Sequence, residues 1–207
     1  MVAGIDQQYR DKASREKALG RDAGALQRLV AQLRAAAARA AREAAAAKAR
    51  AEREAAKASH GRRPASTPSR RPVAAAAPAQ RVGGLGWPVA GSLLASYGGS
   101  LPDGRRSDGV LISAAAGTQV KAVADGTVVF ADWMTGYGMI LIVDHGNGYM
   151  SLYAHNDGLL REAGDAVKRG DPVATVGSSG GQERPALYFE LRRNGSPVNP
   201  SGWLTRQ

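Results

Sequence analysis

The chain has 207 residues, room for one ordinary domain and something more. It has no cysteine, which excludes disulfide frameworks, thiolate zinc sites and cysteine nucleophiles, and no run of about 18 apolar residues that could span a membrane as a helix. The net charge of +10 is all in one place: residues 1–80 carry 17 Lys and Arg against 7 Asp and Glu, whereas residues 81–207 carry 11 of each. Glycine divides the other way, with 4 of 26 before residue 81, and of the aromatic residues only Tyr9 lies there. Two different polymers are joined end to end.

The opening MVAGIDQQYR lacks the apolar stretch of a secretory signal, so the expectation is an intracellular protein or a mature or partial form. Residues from about 6 to 58 read as one long helix. Leu19, Leu26, Val30, Leu33, Ala37, Ala40, Ala44 and Ala47 recur at steps that, after a first step of seven, alternate four and three. No proline interrupts, and the tract from Ala35 to Ala58 is alanine-rich, the best intrinsic helix former. Its first half offers leucines to a partner surface and its second half only methyl groups. Three readings of this arm (1–60) stand side by side. One is the end of a coiled-coil region or a spacer. Another is a strap in which Leu19, Leu26, Leu29, Val30 and Leu33 dock on the following domain as an autoinhibitory helix. The third, nucleic-acid binding, is disfavoured because the charges are spread around the helix without stacking aromatics. Residues 61–81 hold four prolines and little large apolar material, and read as a linker.

From Val82 onward short apolar runs alternate with glycine turns, the pattern of a mainly β domain over 82–207. The expected strands are 120–124, 127–131, 139–144, 149–154, 172–177 and 186–192, with turns at Asp125-Gly126, Gly136, Gly146-Asn147-Gly148, Gly180-Gly181 and Asn194-Gly195. Alternation in the last strand puts Leu187, Phe189 and Leu191 on one face and Ala186, Tyr188, Glu190 and Arg192 on the other. In YMSLYAH it groups Tyr149, Ser151, Tyr153 and His155. His145, in DHGNG, reads as a turn residue.

The segments GWPVAGSLLASYG (86–98), AAAGTQVKAVADGTVVFADW (114–133), GYGMILIVDHGNGYMSLYAH (136–155), GDAVKRGDPVATVGSSG (164–180) and LYFELRRNGSPVNP (187–200) follow one another in an order that resembles the LytM/lysostaphin-type zinc endopeptidase domain. The resemblance implies an antiparallel β fold with a groove across one sheet, and in active members a zinc site that cuts peptidoglycan cross-links. Motif by motif, that site is missing here. Ser107 and Leu111 stand where the first zinc histidine and the zinc aspartate belong. Ala186 replaces the catalytic histidine and Tyr188 the remaining zinc histidine, so only His155, in Tyr-x-His, is retained. A catalytic zinc needs about three protein ligands, and leucine cannot be one, so neither metal, cofactor nor hydrolysis is expected.

Within the family the chain most resembles the non-catalytic activators, which join a coiled coil to a LytM domain without zinc ligands. That resemblance implies a periplasmic role in cell division. The partner would be an N-acetylmuramoyl-L-alanine amidase, whose inhibitory helix the groove captures. The division transporter FtsEX would be met through coiled-coil parts outside this chain. The groove would be lined by Leu111, Tyr137, Ile140, Tyr153, His155, Tyr188 and Arg192, an apolar strip edged by tyrosine and arginine of the composition found at interface hot spots. The competing expectation is a peptidoglycan-binding module that targets without activating.

Overall fold

The computed structural model describes the backbone of residues 2–59 and 86–204, with side chains over 23–55 and 86–204. The N-terminal arm is one helix, α1 (Val2–Ser59), in keeping with its alanine content and lack of proline. The linker expected over 61–81 and the side chain of Leu19 lie outside the described residues. Among the described residues, 2–30 and 86–204 form one compact unit, and 31–59 belong to a second.

In the first unit ten strands follow: β1 (Ser92–Ala95), β2 (Val110–Ser113), β3 (Gln119–Lys121), β4 (Gly126–Met134), β5 (Gly138–Gly146), β6 (Tyr149–Leu159), β7 (Ala166–Val167), β8 (Pro172–Val176), β9 (Ala186–Arg193) and β10 (Ser196–Val198). The main sheet runs β1-β2-β9-β6-β5-β4-β7, with all its pairs antiparallel. The mainly β fold expected from the glycine-punctuated runs is the fold observed.

Register sorts every central side chain to one of two faces, since directly paired residues point the same way. Val110, Phe189, Tyr153 and Leu141 make one row across β2, β9, β6 and β5; Leu191, Ser151 and Val143 make another. These rows pack into the core with Val120, Val123, Val128, Val173 and Val176. The intervening rows, Leu111–Tyr188–Ala154 and Glu190–Leu152–Ile142, occupy the second face.

The run 120–124 is not a single strand, contrary to expectation. Strand β3 ends at Lys121, and Ala122, Val123 and Ala124 are buried in a bend. The Lys121 N–H there donates to the Pro88 carbonyl and the Ala122 N–H to the Asp171 carbonyl, so the backbone is satisfied outside a ladder. Gly126, expected in a turn, opens β4.

Candidate functional site

The second face is built on β9. Tyr188, Glu190 and Arg192 alternate outward from the core, flanked in register by Leu111 on β2 and by Ala154, Leu152 and Met150 on β6. Close approach of β2 depends on Gly109. A Cβ there would lie 2.2 Å from the Phe189 carbonyl oxygen, so only glycine lets the strand reach its partner.

The charged part of this face is internal. Glu190 is 0% exposed, and its carboxylate accepts from Arg192 Nε at 2.5 Å and from the Tyr188 hydroxyl at 3.3 Å. Arg192, also buried, reaches the Gly195 carbonyl with Nη1 at 3.1 Å. Burial raises the Glu190 carboxyl to about 7, with the Arg192 charge opposing the rise. Burial also pushes the Tyr188 and Tyr137 hydroxyls well above the ordinary tyrosine range, and the Glu190 charge adds to both shifts. All three groups therefore hold their protons more tightly than they would in water.

The aromatic end of the face comes from a break in β6. That strand pairs with β9 through Ala154 and with β8 from Asn156, and His155 between them has φ 64°. The break throws the imidazole off the core side, so it meets the Tyr188 ring at 6.2 Å, edge on, while Tyr137 lies 6.0 Å from the same ring. The His155 N–H of the backbone donates to the Tyr137 carbonyl, and its Nδ1 donates to the Ser179 carbonyl at 2.8 Å. Burial holds this imidazole below the usual histidine range and so favours its neutral form. Ser179 closes the corner by accepting from the Met139 N–H at 2.9 Å and donating to the Asn156 carbonyl at 2.6 Å. Gly138, at φ 67°, leaves room for it, because a Cβ there would sit 2.1 Å from the serine oxygen.

These side chains do not fit a zinc ion. Ser107 spends its hydroxyl on Gly109, donating to the carbonyl at 2.9 Å. Leu111 is buried and offers no donor atom, and the Tyr188 oxygen is turned to Glu190. The buried carboxylate of this face, Glu190, is already paired with Arg192. Among the described residues no three His, Asp, Glu or Cys side chains come together as a metal site would require.

Of the residues expected to line a groove, Leu111, Tyr188 and Arg192 share the second face, and Tyr137 and His155 reach it through the Tyr188 ring. Ile140 is fully buried, in phase along β5 with Ile142 of that face and paired with Asp132. Tyr153 is a correction. It is 0% exposed on the core side, 5.3 Å from the Phe189 ring, and its oxygen accepts from the Val123 N–H at 3.0 Å. The alternation that grouped it with His155 holds only up to residue 154, where the left-handed backbone reverses the phase. His145 likewise lies on β5 and not in the turn. Its Nδ1 donates to the Asp125 carbonyl at 2.8 Å and its Nε2 is bonded to Ser151 Oγ at 2.7 Å, which continues to the Tyr153 oxygen at 2.9 Å. Glu190 is the residue that sequence reasoning left out of the site. The signal was available, since it alternates in phase with Tyr188 and Arg192.

The helix contributes a short stripe. Leu26 and Val30, one turn apart, are each 1% exposed, and Leu29 is half-buried. An isolated helix cannot remove its own side chains from water to that extent, so this stripe lies against the compact unit to which residues 23–30 belong. Leu33 is half-buried, and from residue 38 to 55 every side chain is exposed.

Comparison with known proteins places this geometry. Residues 105–200 match the model of Peptidase family M23. The chain is 52% identical over 133 residues to murein hydrolase activator EnvC of Escherichia coli, covering 61% of this chain and 32% of that protein. It is 37% identical over 122 residues to murein hydrolase activator NlpD of the same organism, covering 58% of this chain and 31% of that one. Among solved structures, a zinc-containing peptidase from Vibrio cholerae superposes with a TM-score of 0.53 at 25% identity, over 60% of this chain and 41% of its own. The chain spans about a third of the two activators. Residues 105–200 are thus an M23-type domain, in a chain similar to murein hydrolase activators.

Proposed function

We propose that this protein switches on a peptidoglycan N-acetylmuramoyl-L-alanine amidase without doing chemistry of its own. The second face of the sheet serves as the groove that takes up the amidase's inhibitory helix. The observation that carries this reading is the occupation of the three metal-ligand positions by Ser107, Leu111 and Tyr188, all buried, on an otherwise intact M23 fold. Tyrosine and arginine beside a row of leucine and isoleucine suit an amphipathic helix better than a polar peptide cross-link. Binding that helix in preference to the amidase's own active site shifts the enzyme toward its open state.

The α1 stripe acts as the brake. The second face is buried although it lies outside the core cluster, and so are Leu26 and Val30. Laying Leu26, Leu29 and Val30 over that face accounts for both burials at once, with the helix standing where the amidase helix would bind. The setting is the periplasm during division, with FtsEX acting through parts of the protein beyond this chain.

The test is dye release from labelled peptidoglycan by the chain, by a purified amidase, and by both together. Release confined to the mixture is expected. Leu26→Asp should raise that release about tenfold, by disfavouring the braked state. Release by the chain alone would mean a surviving hydrolase. Retention on cell-wall sacculi with no effect on the amidase would make it a wall-targeting module. Equal release with Leu26→Asp and the unaltered chain would remove the brake.

A further inference from the structure

We propose that Glu190 is a positioning residue. From within the sheet its carboxylate holds the Tyr188 hydroxyl and the Arg192 guanidinium in the arrangement that the bound partner meets. This inference rests on reading the second face as the amidase-binding groove.

The location of the carboxylate is expensive. Glu190 lies in register with Leu152, which lies in register with Ile142, so a leucine at 190 would continue an apolar row. A buried ion pair is often no better for stability than apolar side chains of the same volume. Glu190 also has no exposed surface, so it acts on a partner only through its neighbours.

Those neighbours are of the two residue types that dominate interface energetics, tyrosine and arginine. They stand two residues to either side on the same face, and each is fixed at its tip. The Tyr188 hydroxyl donates to one carboxylate oxygen and Arg192 Nε to the other, while Arg192 Nη1 is tied to Gly195 at the β9–β10 turn. Without the carboxylate the tyrosine tip loses its acceptor and the guanidinium its counter-charge, and both become free to choose other rotamers. The ionisable groups that act on Glu190 from other elements are Asp108, before β2, whose charge opposes its ionisation, and Tyr137 at the β4–β5 turn, which feels the carboxylate charge.

A positioning role and a merely structural role respond to acid with opposite signs. Because burial raises this carboxyl from 4.5 to about 7, folding favours its protonated form. The stability due to this group therefore rises as pH falls from about 7 to about 4.5. Protonation, however, weakens the hold on Arg192. A structural role makes partner affinity follow stability upward in acid; a positioning role makes affinity fall.

The experiment measures the concentration of the full chain that gives half-maximal activation of a purified N-acetylmuramoyl-L-alanine amidase. It compares the unaltered protein with Glu190→Gln at about pH 8 and about pH 6, with urea unfolding in parallel. The ratio between the two proteins cancels the amidase's own response to pH. At the higher pH the variant should need about tenfold more protein, the scale of one charged hydrogen bond. At the lower pH the gap should narrow to within about twofold, because the native carboxyl is then largely protonated. A gap that is absent, or equal at both values, overturns the positioning role and leaves the groove reading standing. No activation at either pH by the unaltered chain or by its Leu26→Asp variant, in which the brake is disfavoured, overturns both. Should Glu190→Gln not fold, Tyr188→Phe takes its place. Lacking one of the two tips that the carboxylate holds, it should respond to acid less than the unaltered chain, and an equal response overturns the proposal.

Discussion

The two faces of the central sheet use the same strands for different ends. On one face Val110, Ile112, Leu141, Tyr153, Leu187 and Phe189 close against each other and against the valines of β3, β4 and β8. On the other, Leu111, Leu152, Tyr188, Glu190 and Arg192 are equally buried yet belong to no part of that core. Successive residues of β9 thus serve opposite masters. The first face can be judged by packing alone. The second includes a carboxylate, a guanidinium and a tyrosine that packing would not have chosen, and it is the face proposed above to bind the partner.

The contrast breaks most visibly at Phe189. Its replacement by alanine removes the ring that packs at 5.3 Å on Tyr153 and should cost about 3–5 kcal/mol of stability in urea unfolding. A loss no greater than that of an exposed side chain would mean that this face is not the core. One residue further along, the same strand should tolerate change in stability while losing function, as the Glu190 experiment requires.

A smaller effect is expected from Tyr153→Phe, which keeps the ring and removes the hydroxyl. The Val123 N–H and Ser151 Oγ each lose a buried partner, at about 1–3 kcal/mol together. Tyr153 faces the core, so activation per folded molecule should be unchanged. A fall in activation at unchanged stability would return Tyr153 to the groove.

How far the sequence reached follows the same division. The runs expected at 127–131, 139–144, 149–154, 172–177 and 186–192 fall on strands, the fourth ending one residue sooner at Val176, because their alternation or continuous apolarity matches their burial. Strand β2 escaped notice, since VLIS is four residues between a turn and an alanine tract. Strands β7 and β10, of two and three residues, carry too little pattern to read. The bend at 122–124 reads as strand because its side chains are apolar and buried, and only its backbone bonds to Pro88 and Asp171 reveal otherwise. For the site, alternation in β9 put Tyr188, Glu190 and Arg192 together correctly. It failed in β6 because the period of two assumes an unbroken ladder, and nothing in YMSLYAH announces a left-handed histidine. The Leu26–Val30 stripe was legible as spacing, but its burial depends on a surface folded from residues far along the chain.

The subtlest expected effect sets the two faces against each other through pH. His145, beneath the core side, and His155, beside Tyr188, are both held below the ordinary histidine range by burial. Each folds more readily as the neutral imidazole. Their contribution to stability is full above about 6.5 and is lost as pH falls through their lowered values. Glu190 has the opposite sign, because its folded carboxyl titrates at about 7 against 4.5 unfolded. Acid therefore removes stability through two histidines and returns some through one glutamate, and the unaltered protein should show a shallow slope between about pH 6.5 and about pH 5. Glu190→Gln removes only the compensating group, so its urea midpoint should fall more steeply over that interval. Parallel slopes would show that Glu190 is already ionised there, its charge held by Arg192 more firmly than burial opposes it. The second face would then stay charged in acid, and the pH-dependent gap in activation would vanish with the difference in slope.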